Sequence, residues 1–181
     1  MTQLPLNAIV LRWFNALGIP QDYGQRHQLS LCEESRTLVP IGHDVFERPQ
    51  SMEPVAASAW QMMQASAVQD GVVLQVVSAF RSIEYQALLI QKKLAKGQVI
   101  DEVLKVSAAP GFSEHHTGQA LDLTTPDCPP LEEEFAETEA YRWLKTHALE
   151  FGFVESFGKD NTHGLIWEPW HWCYRPFLIS A

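Results

Sequence analysis

His115, Asp122 and His171 are residues of metal-ligating type, and a carboxylate stands beside the last of them. They lie in two segments, Ser113-Glu-His115-His-Thr-Gly118-Gln-Ala120-Leu-Asp122 and Glu168-Pro-Trp-His171. Two imidazoles and one carboxylate make a three-ligand set for zinc, with the fourth tetrahedral position left for water. Glu168, three residues before the last ligand, is the spare carboxylate that takes a proton from such a water as it attacks a carbonyl. Arg81 ends a valine-rich run and supplies a fixed guanidinium. It can stabilise charge building on a carbonyl oxygen, or hold a carboxylate in its fork, or simply cap a surface turn. The first of these completes amide hydrolysis. A lone histidine near an aspartate is usually structural, and the chain has seven. The joint pattern is what singles out His115 and His171. His116 cannot share its neighbour's direction and reads as structural or as support for the site. His27, His43, His147 and His163 read as ordinary surface or core residues.

The same residues carry a family resemblance. Ser-x-His-x-x-Gly-x-Ala-x-Asp followed by Glu-Pro-Trp-His resembles the zinc D-alanyl-D-alanine carboxypeptidases of the vancomycin-resistance type, and Ser78-Ala-Phe-Arg81-Ser82 extends the match upstream. The resemblance covers about residues 35 to 175. It implies one zinc ion per chain, held by His115, Asp122 and His171, with Glu168 as base and Arg81 facing the scissile carbonyl. It also implies that Ser113 and Gln86 lie near the terminal carboxylate of a small peptide substrate derived from peptidoglycan. A cell-wall endopeptidase, an L,D-carboxypeptidase and a catalytically silent peptide-binding module are the alternatives on the same fold. One position departs from the pattern: Cys173 stands where related sequences often carry arginine. It reads as a packed, reduced thiol, with a place close to the metal as the alternative.

The rest of the chain limits the setting. At 181 residues it suits one domain, divided here into an extension over 1–34 and a metallopeptidase core over 35–175. A hydrophobic content of 46% supports a packed globule, and a net charge of −9 argues against nucleic-acid binding, which relies on clustered Lys and Arg. Cys32, Cys128 and Cys173 are odd in number and irregularly spaced, which argues against a disulfide framework. No basic leader and no apolar run of membrane-spanning length is present, so the expectation is a cytoplasmic protein. Oligomeric state is not legible.

Elements must bring the two ligand segments together. His115 and Asp122 are seven positions apart, too far for one helical turn, so the chain has to bend at Thr117-Gly118. Gln119 to Thr124 then alternates as a strand, with Asp122 on the site face and Leu121 and Leu123 on the core face. Pro169 pushes Glu168 out of the helical region, placing Glu168 to His171 at a turn or strand end. Helices are expected over Leu4 to Leu17, Pro54 to Val68 (with Met62 and Met63 as gap-fillers), Ile83 to Ala95 behind a Ser82 cap, Val99 to Lys105, and Glu132 to Phe151. Strands are expected over Val72 to Ala79, Phe153 to Ser156, Gly164 to Trp167 and Trp172 to Arg175. This pattern predicts an α+β fold, a small mainly antiparallel sheet with helices packed on it. The resemblance implies the Hedgehog/DD-peptidase fold, which agrees.

Overall fold

Register across a short antiparallel sheet decides where the chemistry sits. The structure, a computed structural model, describes residues 6–175. Its main sheet contains β3 (Gln75–Ser78), β4 (Ala120–Thr124), β5 (Phe153–Glu155) and β6 (His171–Tyr174), in the order β3-β4-β6-β5 with every pair antiparallel. Asp122 in β4 is paired with His171 in β6 on one side and with Ser78 in β3 on the other. Directly opposed residues share a face. Leu121, Leu123, Trp172 and Tyr174 turn the other way, into a core closed by Trp60 and Met63 of α3 (Pro54–Gln69) and by Leu144 of α6 (Glu139–His147).

A second core lies among the helices that flank the site. Val10 and Phe14 of α1 (Ala8–Leu17) pack with Ile83, Ala87 and Ile90 of α4 (Ile83–Ala95). Tyr23 of the short α2 (Tyr23–Arg26), Val103 and Leu104 of α5 (Ile100–Lys105) and Phe112 complete it. Capping accounts for the ends: the Asn7 side chain accepts from Val10 N, and Ser82 Oγ accepts from Tyr85 N. Gly18 closes α1 in the left-handed region. Leu4 and Pro5, where the first helix was expected to begin, lie outside the described residues.

Between the extension and α3 runs a hairpin, β1 (Val39–His43) and β2 (Pro49–Met52). Asp44 organises its turn, accepting from the backbone N–H groups of Phe46 and Arg48 and from the Arg48 guanidinium.

Two expected elements are corrected. The single helix over Glu132 to Phe151 is three pieces: a 3-10 turn over Glu133–Glu137, then α6, then a 3-10 turn over Ala148–Phe151. Thr138 breaks it, being extended (φ −79°, ψ 160°) with a hydroxyl that caps Tyr141 N. The expected strand from Gly164 to Trp167 is irregular, because its polar groups are met elsewhere. Ile166 N donates to Lys105 O, and Leu165 O accepts from the Asn161 side chain. The other boundaries differ from expectation by a few residues, as at β3, which starts at Gln75 rather than Val72.

Candidate active site and metal centre

A short turn and two strand positions build the site. Glu114–Thr117 forms a 3-10 turn, and Gly118 ends it at φ +69°, reversing the chain into β4. His115 leaves this turn and Asp122 lies two residues into β4 from Ala120. His171 opens β6 directly after the Glu168-Pro-Trp turn, where its backbone N–H donates to Glu168 O. His115, Asp122 and His171 are all buried, and one ligand atom from each lies within 4.8 Å of the other two.

Hydrogen bonding selects the nitrogens. His115 Nδ1 is 2.5 Å from Ala79 O, so it carries the proton and donates; Nε2 is left as a lone pair. That lone pair has no hydrogen-bond partner, although Asp122 Oδ2 is only 3.2 Å away. Lone pair facing carboxylate repels unless a cation joins them. His171 Nε2 lies 2.9 Å from Glu114 Oε2, and Nδ1 lies 3.0 Å from Asp122 Oδ1. The donor set fits zinc: two imidazole nitrogens and a carboxylate, each imidazole oriented by a bond at its other nitrogen.

Electrostatics agrees. Burial, aided by the Arg81 charge, pushes His115 down to about 4, so its ring is neutral. Burial would also lower His171, but its bonds to Asp122 and Glu114 outweigh this and raise it to about 10. Burial would raise Asp122, yet the two rings and Arg81 hold it well below the carboxylate range. Glu168 goes the opposite way, raised to about 7 by burial and by the charges of Asp122 and Glu114, against the pull of His171 and Arg81.

The remaining expected residues gather around this point. Arg81 Nη2 is 3.6 Å from Asp122 Oδ2, and Arg81 Nε is buried without a partner. Gln86 is buried, its Nε2 donating to Ala108 O while Oε1 is unpartnered. Arg81, Gln86, Ser113, His115, Glu168 and His171 line one chamber of about 30 Å³. A much larger open groove, about 570 Å³, shares Arg81 and runs past Phe46, Phe80, Tyr85 and Leu131.

His116 has a structural place, with Nδ1 on Arg81 O and Nε2 accepting from Gly111 N. Cys173 is a free, fully buried thiol outside the ligand cluster, and burial pushes it well up. His163 and His27 form a clasp, each ring bonded to the other's carbonyl at 3.0 and 2.7 Å. It ties the extension to the loop carrying Phe157, whose ring lies 5.0 Å from that of His171. Three residues at the site escaped the sequence reading: Glu114, Phe157 and Arg175. For Arg175 a signal existed, since 171, 173 and 175 share one face by strand alternation.

This fold, with a His-Asp-His centre and an adjacent half-buried glutamate, defines a metallopeptidase-like protein. The VanY D-alanyl-D-alanine carboxypeptidase family model matches residues 49–177, and the chain belongs to that family. Over 175 residues it is 29% identical to a D-alanyl-D-alanine carboxypeptidase of Enterococcus faecalis, covering 88% of this chain and 63% of that relative. It thus spans less than two thirds of the relative's length. The structure of the LdcB LD-carboxypeptidase superposes with a TM-score of 0.70 at 28% identity, covering 78% of this chain and 69% of the other. A vancomycin-resistance D,D-pentapeptidase VanY variant in complex with Zn(II) superposes with a TM-score of 0.60 at 26% identity, covering 79% and 86%. Among the described residues no helix is long and apolar enough to cross a membrane.

Proposed function

We propose that the chain is a zinc-dependent carboxypeptidase that removes a C-terminal D-alanine from peptidoglycan-type peptides. The observation that carries this is the convergence of two imidazole nitrogens and one carboxylate beside a half-buried glutamate raised to about 7. Zinc held by His115, Asp122 and His171 would supply Lewis acidity to the attacking water and to the substrate carbonyl. Glu168 takes the proton from that water. It returns the proton to the amine as the carbon–nitrogen bond breaks, leaving a shortened peptide and free alanine. Arg81 donates to the carbonyl oxygen as charge builds there, an interaction stronger in the transition state than in the ground state.

The two cavities give the substrate a direction. The 30 Å³ chamber suits a small terminal residue and no large side chain, with Ser113 and the unpartnered Gln86 Oε1 in its wall. Ser113 and Gln86 Nε2 would meet the terminal carboxylate, the latter after exchanging its bond to Ala108. The open groove on the other side of Arg81 takes the acyl part of the peptide.

Glu168→Gln tests the assignment. Zinc content should remain near one per chain while turnover on a stem pentapeptide falls by about 10²-fold or more. Near-normal turnover at full zinc occupancy would defeat it. Mass analysis of the products separates loss of the terminal alanine from internal cleavage. Equal cleavage of free-acid and amidated peptides would favour an endopeptidase. The LD-carboxypeptidase neighbour supports a second reading, in which the residue before the terminal D-alanine has the L configuration. Paired peptides differing only at that centre decide between the two. Peptide retained on the zinc form without cleavage of any substrate would mark a silent binding module.

A further inference from the structure

Glu114 is the carboxylate nearest the metal centre that neither the ligand set nor the proposed chemistry uses. It sits in the 3-10 turn beside His115, yet its side chain serves the other histidine. Oε2 accepts from His171 Nε2 at 2.9 Å, and Oε1 is paired with Arg175 Nη2. The side chain is only 12% exposed. Carboxylate oxygens at both ends of such a contact are expensive to bury unless each is bonded, and here each is. Arg175 directly follows β6 and by alternation lies on the same face of the chain as His171, so one short stretch of chain supplies both the ligand and the clamp.

We propose that Glu114, clamped by Arg175, is a positioning residue that sets which nitrogen His171 offers to the metal. An imidazole has two nitrogens and can turn over about its Cβ–Cγ bond. A charged acceptor at Nε2 fixes the proton there and leaves Nδ1 aimed at Asp122, 3.0 Å away. The Phe157 ring, 5.0 Å from the His171 ring, restrains the remaining motion. Arg175 keeps Glu114 from turning toward solvent. The turn that carries one ligand thereby orients the other, coupling the two segments of the site. This inference rests on reading His115, Asp122 and His171 as the metal centre.

Zinc affinity by chelator competition and the visible spectrum of the cobalt-substituted protein read this out directly. Glu114→Ala should weaken zinc binding by about 10–100-fold, the usual cost of losing a carboxylate behind a ligating histidine. Its cobalt bands should shift, and kcat should fall with little change in KM. Glu114→Gln keeps an oxygen acceptor and should recover part of the affinity. Arg175→Met leaves the Glu114–His171 bond in place, and should weaken zinc by a smaller factor of about 3–10. Zinc affinity within about two-fold of wild type, with unchanged cobalt spectra, in both Glu114→Ala and Arg175→Met would overturn the proposal. If Glu114→Ala does not fold, Arg175→Met decides alone, because that side chain is 43% exposed. A wild type that binds no zinc would instead sink the metal-centre reading.

Discussion

Burial acts on every titratable group at this centre, and the partners of each decide its outcome. His115 is bonded only through Nδ1, so desolvation wins and the ring is neutral. Glu114 has the Arg175 and His171 partners, which outweigh burial and hold it at about 2. For Glu168, burial and the charges of Asp122 and Glu114 outweigh the pull of His171 and Arg81, and the carboxyl rises to about 7. A base must be ionised, so kcat/KM should fall as pH drops through the pKa of Glu168. The charge of bound zinc opposes the rise, placing the acid limb between about 4.5 and about 7. A limb at or below the ordinary carboxylate value, or one that persists in Glu168→Gln, would remove Glu168 from the role. Stability has its own sign. A raised carboxyl pKa means that the folded state binds the extra proton, so the metal-free wild type loses stability as pH rises from about 4.5 through about 7. Metal-free Glu168→Gln escapes this loss. Its melting temperature should exceed that of metal-free wild type by a margin that grows across that window and then levels off.

The elements show which part of the site was legible before the coordinates. Ser82, Gly97 and Pro54 mark helix ends by local chemistry, and α3 and α4 fall within a residue or so of expectation. Alternation in β4 put Asp122 opposite the leucines for the same reason. What sequence order does not display is register across strands, the cause of the Asp122–His171 pairing and of Arg175 reaching Glu114. The 132–151 segment misled because its apolar spacing is helical throughout, while one hydroxyl at Thr138 changes the backbone. Gly164 to Trp167 misled because an apolar run reads as a strand even where no neighbour pairs with it. Gly118 is the sharpest test of the bend between ligands. It adopts φ +69°, and a Cβ there would lie 2.9 Å from the backbone nitrogen of Glu53, which itself donates to Gly118 O at 2.9 Å. Gly118→Ala should therefore cost more than the roughly 1–2 kcal/mol of left-handed backbone alone, and should weaken zinc binding by displacing His115. A variant with wild-type denaturation midpoint and zinc affinity would show that the turn tolerates a side chain and that the bend does not set the ligand spacing.

At the scale of the whole molecule, the metal centre lies between two hydrophobic cores and belongs to neither. One core joins the sheet to α3 and α6, and the other joins α1 to α4 and α5. Neither core includes His115, Asp122 or His171, and Trp60, Phe14, Phe135 and Leu121 are essentially fully buried within them. The fold therefore does not depend on zinc in the way a small zinc-nucleated domain does. Metal removal should leave the far-ultraviolet circular dichroism nearly unchanged at 25 °C. On the proposed assignment, zinc binds only the native arrangement of three buried ligands and therefore stabilises by mass action. At a free concentration of about 100 times its Kd the gain is about 2.7 kcal/mol, worth about 5–11 °C in the melting temperature of a domain this size. The gain should rise with free zinc concentration and vanish in Asp122→Ala, where the carboxylate between the two imidazoles is gone. Loss of secondary structure on chelation would show that the cores are not self-sufficient. A melting temperature unmoved by zinc would show that His115, Asp122 and His171 do not bind it.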